Sequence, residues 1–347
     1  VPLFIGGATA SALHTAVKLA PLYDYVFYCA DASATAVMAK RYMLDPQRFV
    51  EQEHRRQEEL RRLYRSRDAR GETAAPPAFA PESFLRREYL RTEPMPPQAV
   101  TAEEVMPYFD WKLFMAVCRM KNAPEQAVLE LKEEALGRIS ALGRDGGLRI
   151  MAALRWFDAC AEDDTVCLHG DGECFGIPML RQEEASALPG GGKACMSLAD
   201  FVPPAQSGMT SPCALFAVSA DAPGEQDLVG QAVLDTLAEA ASTMIEDRVR
   251  KAVPGMRVIR PAAGYPSFPD HSVKADILHL IDGDGRLGIS LSESYGMTPD
   301  ASVCGMIFVH QEAVYPDIRR IGRQQFRDYC RRRGLAEAEG TALLGHL

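Results

Sequence analysis

The sequence lacks long hydrophobic runs and any excess of positive charge. Among its 347 residues, no apolar stretch approaches the roughly 18 residues that a membrane-spanning helix needs. Acidic residues outnumber basic ones, 47 to 38, which gives a formal net charge of -9. That balance argues against the broad basic face that binds a phosphate backbone. We therefore predict neither a membrane nor a nucleic acid as a partner.

Several short motifs of catalysis and metal binding are also missing. The nine cysteines include no C-x-x-C pair and follow no signal peptide, so they are typical of reduced core thiols in a cytoplasmic protein. No G-x-S-x-G elbow or H-E-x-x-H pair occurs. In the twelve residues from Asp282 to Glu293, Arg286 stands where a calcium loop needs an oxygen ligand. We predict no metal site and no catalytic side chain.

The first 70 residues alternate short apolar runs with helical patterns. Strands are predicted at "PLFI" and "DYVFYC", and helices at "SALHTAVKLA" and "ATAVMAKRYM", which is typical of a parallel βα arrangement. Two strands are too few for such a sheet, because parallel strands need neighbours on both sides. The chain also begins, at Val1, inside an apolar run. We expect residues 1–70 to be the end of a longer, Rossmann-like α/β domain plus the start of a linker.

A stretch rich in proline, alanine and charge, "SRDARGETAAPPAFAPESF", predicts a boundary near Arg70. Beyond it, helices are predicted at residues 101–120, 123–142 and 227–253, and Thr101 and Glu104 have the spacing of a capping box. Strands are predicted at "TVCLH", "FGIPML", "CALFAVS", "LGISLS" and "SVCGMIFVH". This segregation favours an α+β domain over residues 71–347, with a largely antiparallel sheet and flanking helices.

One loop, "IRPAAGYPSFPDH", is unusual because prolines alternate with residues suited to binding. Prolines fix φ and push the preceding residue toward extended geometry, so this segment suits neither a helix interior nor a central strand. We predict an ordered, stiff loop that carries Arg260, Gly264 and Tyr265. A surface arginine that ends a strand before a proline turn is the plainer alternative for Arg260.

The segment "VPLFIGGATASALHTAVKLAP" closely resembles the end of the cobalamin-binding domain of cobalamin-dependent methionine synthases. The resemblance continues, in that family's order, through "DAS", "SLADFV", "DRVRK", "IRPAAGYPSFPDH" and "SESYGMTPDASVCG". The later segments resemble the family's C-terminal S-adenosylmethionine-binding activation domain. For the first segment, the resemblance implies cobalamin contacts at Gly6, Gly7, Ser11 and Thr15. An ordinary βα turn, with its helix capped by Thr9 or Ser11, is the alternative.

The resemblance also implies an S-adenosylmethionine site, formed by Asp110, Glu239, Arg260, Ala262, Gly264, Tyr265 and Tyr315. The planar guanidinium of Arg260 suits the ligand carboxylate, Gly264 permits a close backbone approach, and Tyr265 offers an aromatic wall. Asp110 would face the ammonium group. The family has a second tyrosine after the position of Tyr315, where this sequence has Pro316. The alternatives are a helix-start aspartate for Asp110 and a charged helix surface for Glu239.

The function that the resemblance implies is reactivation of a methyltransferase that makes methionine. S-adenosylmethionine would remethylate Co(II) cobalamin while a flavodoxin-type electron donor reduces the metal. The family's D-x-H-x-x-G motif and both substrate domains do not occur in this sequence. We therefore expect upstream domains of the same polypeptide as partners, cobalamin contacts that are only partly encoded here, and no turnover by this chain alone. The alternative is a noncatalytic S-adenosylmethionine-binding or protein-interaction module that keeps the fold.

Overall fold

The computed structural model describes residues 1–6, 12–29, 32–68, 76–120, 123–225, 227–345 and 347. The chain forms two compact units, one of residues 1–73 with 337–347 and one of residues 74–336. The helices are α1 (Ala12–His14), α2 (Ala32–Leu44), α3 (Pro46–Asp68), α4 (Ala102–Val105), α5 (Trp111–Val117), α6 (Glu125–Arg144), α7 (Leu228–Ala252), α8 (Val273–Ile281), α9 (Arg323–Arg333) and α10 (Glu337–Leu344). The predicted boundary at Arg70 lies outside the described residues, and the domain assignment stays a prediction.

The strands are short in the first unit and longer in the second. They are β1 (Leu3–Ile5), β2 (Val26–Tyr28), β3 (Met95–Val100), β4 (Arg149–Glu162), β5 (Thr165–Gly170), β6 (Glu173–Pro178), β7 (Ser186–Ala187), β8 (Lys193–Ala194), β9 (Ser211–Asp221), β10 (Arg257–Ile259), β11 (Ser290–Leu291), β12 (Met297–Thr298) and β13 (Ser302–His310). Within the described residues, no helix is long and apolar enough to cross a membrane.

The first unit is built on a parallel pair of strands, as its sequence pattern predicts. β1 and β2 pair in parallel, with Leu3 opposite Val26. Helix α1 continues into a π-helical turn over Thr15–Leu19. A small core forms where Phe27 and Phe49 pack with Cys29 and Met38.

The second unit is built on a seven-stranded antiparallel sheet. Its strand order is β10-β13-β9-β4-β5-β6, and β3 pairs with β4 beside this path. Every pairing is antiparallel, which confirms the predicted α+β fold. The long strand β4 makes this possible, because residues 150–154 pair with β3 and residues 158–162 pair with β5.

Both faces of this sheet are covered, so its central strand is apolar on both sides. On β9, Phe216 and Val218 belong to a core shared with α7, whereas Leu215 and Ala217 belong to a second core shared with α8. Burial of both faces explains why the sequence of β9 is a continuous apolar run. The core shared with α7 also holds this helix against the sheet, so α7 can position polar side chains at the sheet edge.

Two predicted elements differ from the structure, and one long strand was not predicted. The helix predicted over residues 101–120 begins with the expected Thr101 capping box but breaks into α4, a 3₁₀ turn and α5. Pro107 removes a backbone donor, and Asp110 starts α5 as its N-cap. The strand predicted at "LGISLS" shrinks to β11, and the long strand β4 was not predicted from the sequence.

Candidate functional site

The loop that follows β10 is ordered by hydrogen bonds to β13. The backbone N–H of Ala263 donates to the carbonyl of Cys304 (3.0 Å), and that of Met306 donates to the carbonyl of Pro261 (3.1 Å). Ala262 pairs with Gly305 in an isolated bridge. A Cβ at Gly305 would collide with the Pro261 carbonyl. The loop therefore lies directly against the strand, held there by backbone hydrogen bonds.

Arg260 lies at the start of this loop with its side chain held by two carboxylates. Its Nη2 is 2.5 Å from Oε1 of Glu239, and its Nε is 3.3 Å from Oε2 of Glu246. Its Cζ lies 5.2 Å from the centre of the Phe216 ring. The side chain is only 8% exposed. Arg260 is thus a buried, ion-paired cation at the end of an edge strand.

Tyr315 adds a third group to this cluster. Its hydroxyl oxygen accepts a hydrogen bond from the backbone N–H of Arg260 at 2.8 Å. Burial raises the pKa of Tyr315, so the phenol stays neutral at physiological pH. Half of the residue nevertheless faces solvent, as does most of Tyr265. Tyr315 therefore presents aromatic surface beside the buried arginine, and Tyr265 presents its ring from the same loop as Arg260.

Gly264 occupies a backbone conformation that side chains rarely adopt, with φ of +93°. A Cβ there would lie 2.5 Å from Cε1 of His271. Nδ1 of His271 is 3.0 Å from Nζ of Lys274. The same Nζ donates a hydrogen bond to the carbonyl of Tyr295 at 3.1 Å. Burial lowers the pKa of Lys274. Sequence reasoning missed this contact, although "PDHSVK", at the end of the loop, contains both His271 and Lys274.

Asp110 has a local role in the structure. Its Oδ1 accepts the backbone N–H groups of Lys112 (2.8 Å) and Leu113 (3.2 Å), so it caps α5. Among the described residues, Asp110 forms no ion pair with Arg260. Helix α5 packs against α7, the helix that carries Glu239 and Glu246.

The structure therefore brings Glu239, Arg260 and Tyr315 together and adds Glu246, which sequence reasoning missed. Glu239 and Glu246 are seven residues apart on α7, almost two full helical turns, so their side chains leave the same face of the helix. That spacing was visible in the sequence. What it could not show is that both carboxylates meet one arginine.

The residues of the first unit are only partly described. Gly7 and Ser11 lie outside the described residues. A Cβ at Gly6 would lie 2.6 Å from the Cys29 carbonyl, which explains the glycine at the end of β1. Thr15 is buried and lines a recess with Tyr28 and Gln57, and its Oγ1 has no hydrogen-bond partner within the described part of the chain. A buried hydroxyl without a partner fits a polar ligand group at this point.

Comparisons with known proteins agree with this architecture. Residues 101–334 match the family described as vitamin B12 dependent methionine synthase, activation domain. Among solved structures, the chain is similar to one described as the MetH reactivation domain bound to AdoHcy. The TM-score is 0.69 at 25% sequence identity, and the match covers 80% of this chain and 96% of that one.

Proposed function

Because the chain belongs to the family of vitamin B12-dependent methionine synthase activation domains, we propose that residues 74–336 bind S-adenosylmethionine for the reductive remethylation of Co(II) cobalamin. The observation that carries the proposal is the buried Arg260 at the start of the loop that carries the exposed Tyr265, with the half-exposed Tyr315 hydrogen-bonded to its backbone. The solved relative binds AdoHcy, which is S-adenosylmethionine without the transferable methyl group.

The candidate residues match the chemistry of this ligand. Arg260 supplies the cation for the ligand carboxylate, and Asp110 keeps Oδ2 available for the ammonium group because its helix cap uses Oδ1. The rings of Tyr265 and Tyr315 offer apolar surface for the adenosine. Ala262 and Gly264 let the backbone approach the ligand closely. These residues hold and orient the ligand, and no general base is required.

Cobalamin, when bound, supplies the cobalt that accepts the methyl group after one electron arrives from a flavodoxin-type donor. In this chain, Gly6, Gly7, Ser11 and Thr15 would contact it, and the buried Thr15 hydroxyl fits such a contact. Upstream domains of the same cytoplasmic polypeptide would supply the remaining contacts and both methyl-transfer substrates. We expect weak cobalamin binding and no methionine synthesis by this chain alone. Tight, stoichiometric uptake of free cobalamin, or turnover by the purified chain, would contradict this assignment.

Calorimetric titration with S-adenosylmethionine tests the proposal. Arg260→Ala should weaken binding about ten- to a hundredfold, because a charge-assisted hydrogen bond contributes roughly 1.5 to 3 kcal/mol. Arg260→Lys should restore binding only in part, because an ammonium group cannot form the two parallel bonds of a guanidinium. The absence of binding by the unmodified chain at millimolar ligand overturns the proposal.

The matched control is Arg331→Ala. Arg331 is 73% exposed and pairs with Asp328 on α9, so its loss removes one positive charge without opening the core. Arg333 is a poorer control, because it is largely buried between Asp270 and Asp276. If Arg331→Ala weakens binding as much as Arg260→Ala, the effect is general electrostatics and the assigned site is wrong.

One observation favours a second candidate, a noncatalytic S-adenosylmethionine-binding module. Pro316 follows Tyr315 where the family pattern implies a second aromatic residue. A proline cannot provide the same ring surface or a hydroxyl group. The two candidates differ in one assay, in which the chain is combined with a corrinoid domain, S-adenosylmethionine and a one-electron reductant. Formation of methylcobalamin supports the activation function, and binding without methyl transfer supports the module.

A further inference from the structure

The two glutamates contact one particular edge of the Arg260 guanidinium. A guanidinium carries five N–H groups, one on Nε and two on each Nη. Glu246 accepts at Nε and Glu239 accepts at Nη2, and these two nitrogens share the side edge of the group. The second hydrogen of Nη2 and one hydrogen of Nη1 lie on the end edge, and among the described residues neither has an acceptor. The other hydrogen of Nη1 points back toward Cδ. That edge is the one that can form two parallel bonds with a carboxylate.

Glu246 is itself held in place from several directions. It forms an ion pair with Arg250, one turn further along α7, as well as with Arg260. Its side chain is only 15% exposed, and α7 packs along the sheet. A carboxylate that is fixed in this way restricts the rotation of the guanidinium it binds. The ring of Phe216 lies against one face of the same guanidinium and limits its movement in that direction.

We propose that Glu246 is a positioning residue that, with Glu239, occupies the Nε–Nη2 edge of Arg260 and so turns the Nη1–Nη2 edge toward the ligand carboxylate. The inference rests on the proposed function, because it specifies how that site holds its ligand. Fixing the guanidinium in advance lowers the ordering cost of binding. The two carboxylates also offset the burial of the Arg260 charge.

A comparison of two ligands separates positioning from general structural support. S-adenosylmethionine carries the carboxylate, whereas 5′-methylthioadenosine keeps the adenosine and lacks both the carboxylate and the ammonium group. In Glu246→Gln, we expect S-adenosylmethionine binding to weaken about three- to tenfold, because the neutral amide still accepts from Nε but holds the guanidinium less firmly than a carboxylate. Binding of 5′-methylthioadenosine should stay within about twofold of the unmodified chain. Damage to the fold would weaken both ligands together.

A double-mutant cycle tests whether Glu246 acts through Arg260. Glu246→Ala should weaken S-adenosylmethionine binding in the unmodified chain but have little further effect in an Arg260→Ala background. Asp247→Asn is the matched control, because Asp247 is the next residue on α7 and pairs instead with Lys251 and Tyr108. It should bind both ligands as the unmodified chain does.

The outcomes distinguish this inference from the function on which it rests. If Arg260→Ala weakens S-adenosylmethionine binding while Glu246→Gln and Glu246→Ala do not, the positioning role is wrong and the proposed function stands. Equal weakening of the two ligands in Glu246→Gln also overturns the positioning role. If the unmodified chain fails to bind S-adenosylmethionine, both proposals fail.

Discussion

At the scale of single residues, His310 shows how hydrogen bonds fix a protonation state. The residue is fully buried at the end of β13. Its Nδ1 accepts the backbone N–H of Glu312 at 3.0 Å, so the proton of the neutral ring must lie on Nε2, which then donates to Oγ of Ser83 at 3.0 Å. The Ser83 hydroxyl donates in turn to the carbonyl of Ala80. This chain of bonds has no place for a second ring proton.

Burial lowers the pKa of His310 to about 4, and this predicts a loss of stability in acid. Because the unfolded chain binds a proton near pH 6.5 and the folded one does not, the free energy of unfolding falls as the pH drops from 6.5 toward 4. The expected loss between pH 7 and pH 5 is about 2 kcal/mol. Urea unfolding at both pH values, of the unmodified chain and of His310→Gln, measures this loss of stability. The variant should lose less, since glutamine cannot titrate. Equal losses in both proteins would show that other groups are responsible.

At the scale of single elements, the loop after β10 depends on Gly264. Its positive φ strains any side chain, and a Cβ would also meet the His271 ring. Gly255 has a similar φ of +85° but open space around its Cα. We predict that Gly255→Ala loses roughly 1 kcal/mol of stability to backbone strain alone. Gly264→Ala should lose more and should also weaken S-adenosylmethionine binding, which thermal unfolding and calorimetry would show. Equal effects of the two substitutions would contradict this role for the loop.

Strands β4, β5 and β6 bring three cysteines close to one another. Cys160 lies opposite Cys167, and Cys174 lies opposite His169 on the same face of the sheet. Burial and the neighbouring thiols raise the pKa of Cys167 to about 11, so little thiolate is present at neutral pH. Cys174, by contrast, is exposed.

These differences predict an order of chemical modification. A thiol reagent should label Cys174 first, and the buried Cys213 and Cys304 should react only after unfolding, because thiolate and access are both required. Mass spectrometry of the briefly alkylated native protein measures the order. Cys174→Ser serves as the control, since it should remove the fastest phase. Labelling of Cys213 before Cys174 would mean that β9 is more accessible than the structure shows.

Strands β13 and β4 show where a sequence pattern is enough to predict the structure and where it is not. Strand β13 coincides with the predicted "SVCGMIFVH", because both faces of the strand are apolar and its ends are polar. Strand β4 was not predicted, since its alanines carry little β propensity and only its partners stabilise it. Arg260 and Tyr315 were named from a resemblance. Glu246 could not be, because its role depends on how α7 lies against the sheet.

At the scale of the whole molecule, the second unit contains both large hydrophobic cores. We therefore predict that a fragment of residues 74–336 folds alone, unfolds in one cooperative transition and binds S-adenosylmethionine with the affinity of the full chain. Circular dichroism, calorimetric unfolding and ligand titration test this. A fragment of residues 1–68 is the control, and we expect it to be much less stable because its core is small. A disordered 74–336 fragment would contradict the assigned domain.

The three edges of the large sheet also bear on how the protein behaves at high concentration. Strand β10 has three residues and is soon followed by Pro261, β3 contains Pro96 and Pro97, and β6 ends at Pro178 beside helix α9. Edge strands that are short, rich in proline or covered by a helix are poor templates for strands of another chain. The sheet is thereby protected against edge-to-edge aggregation, and the prolines that stiffen the ligand loop contribute to the solubility of the fold.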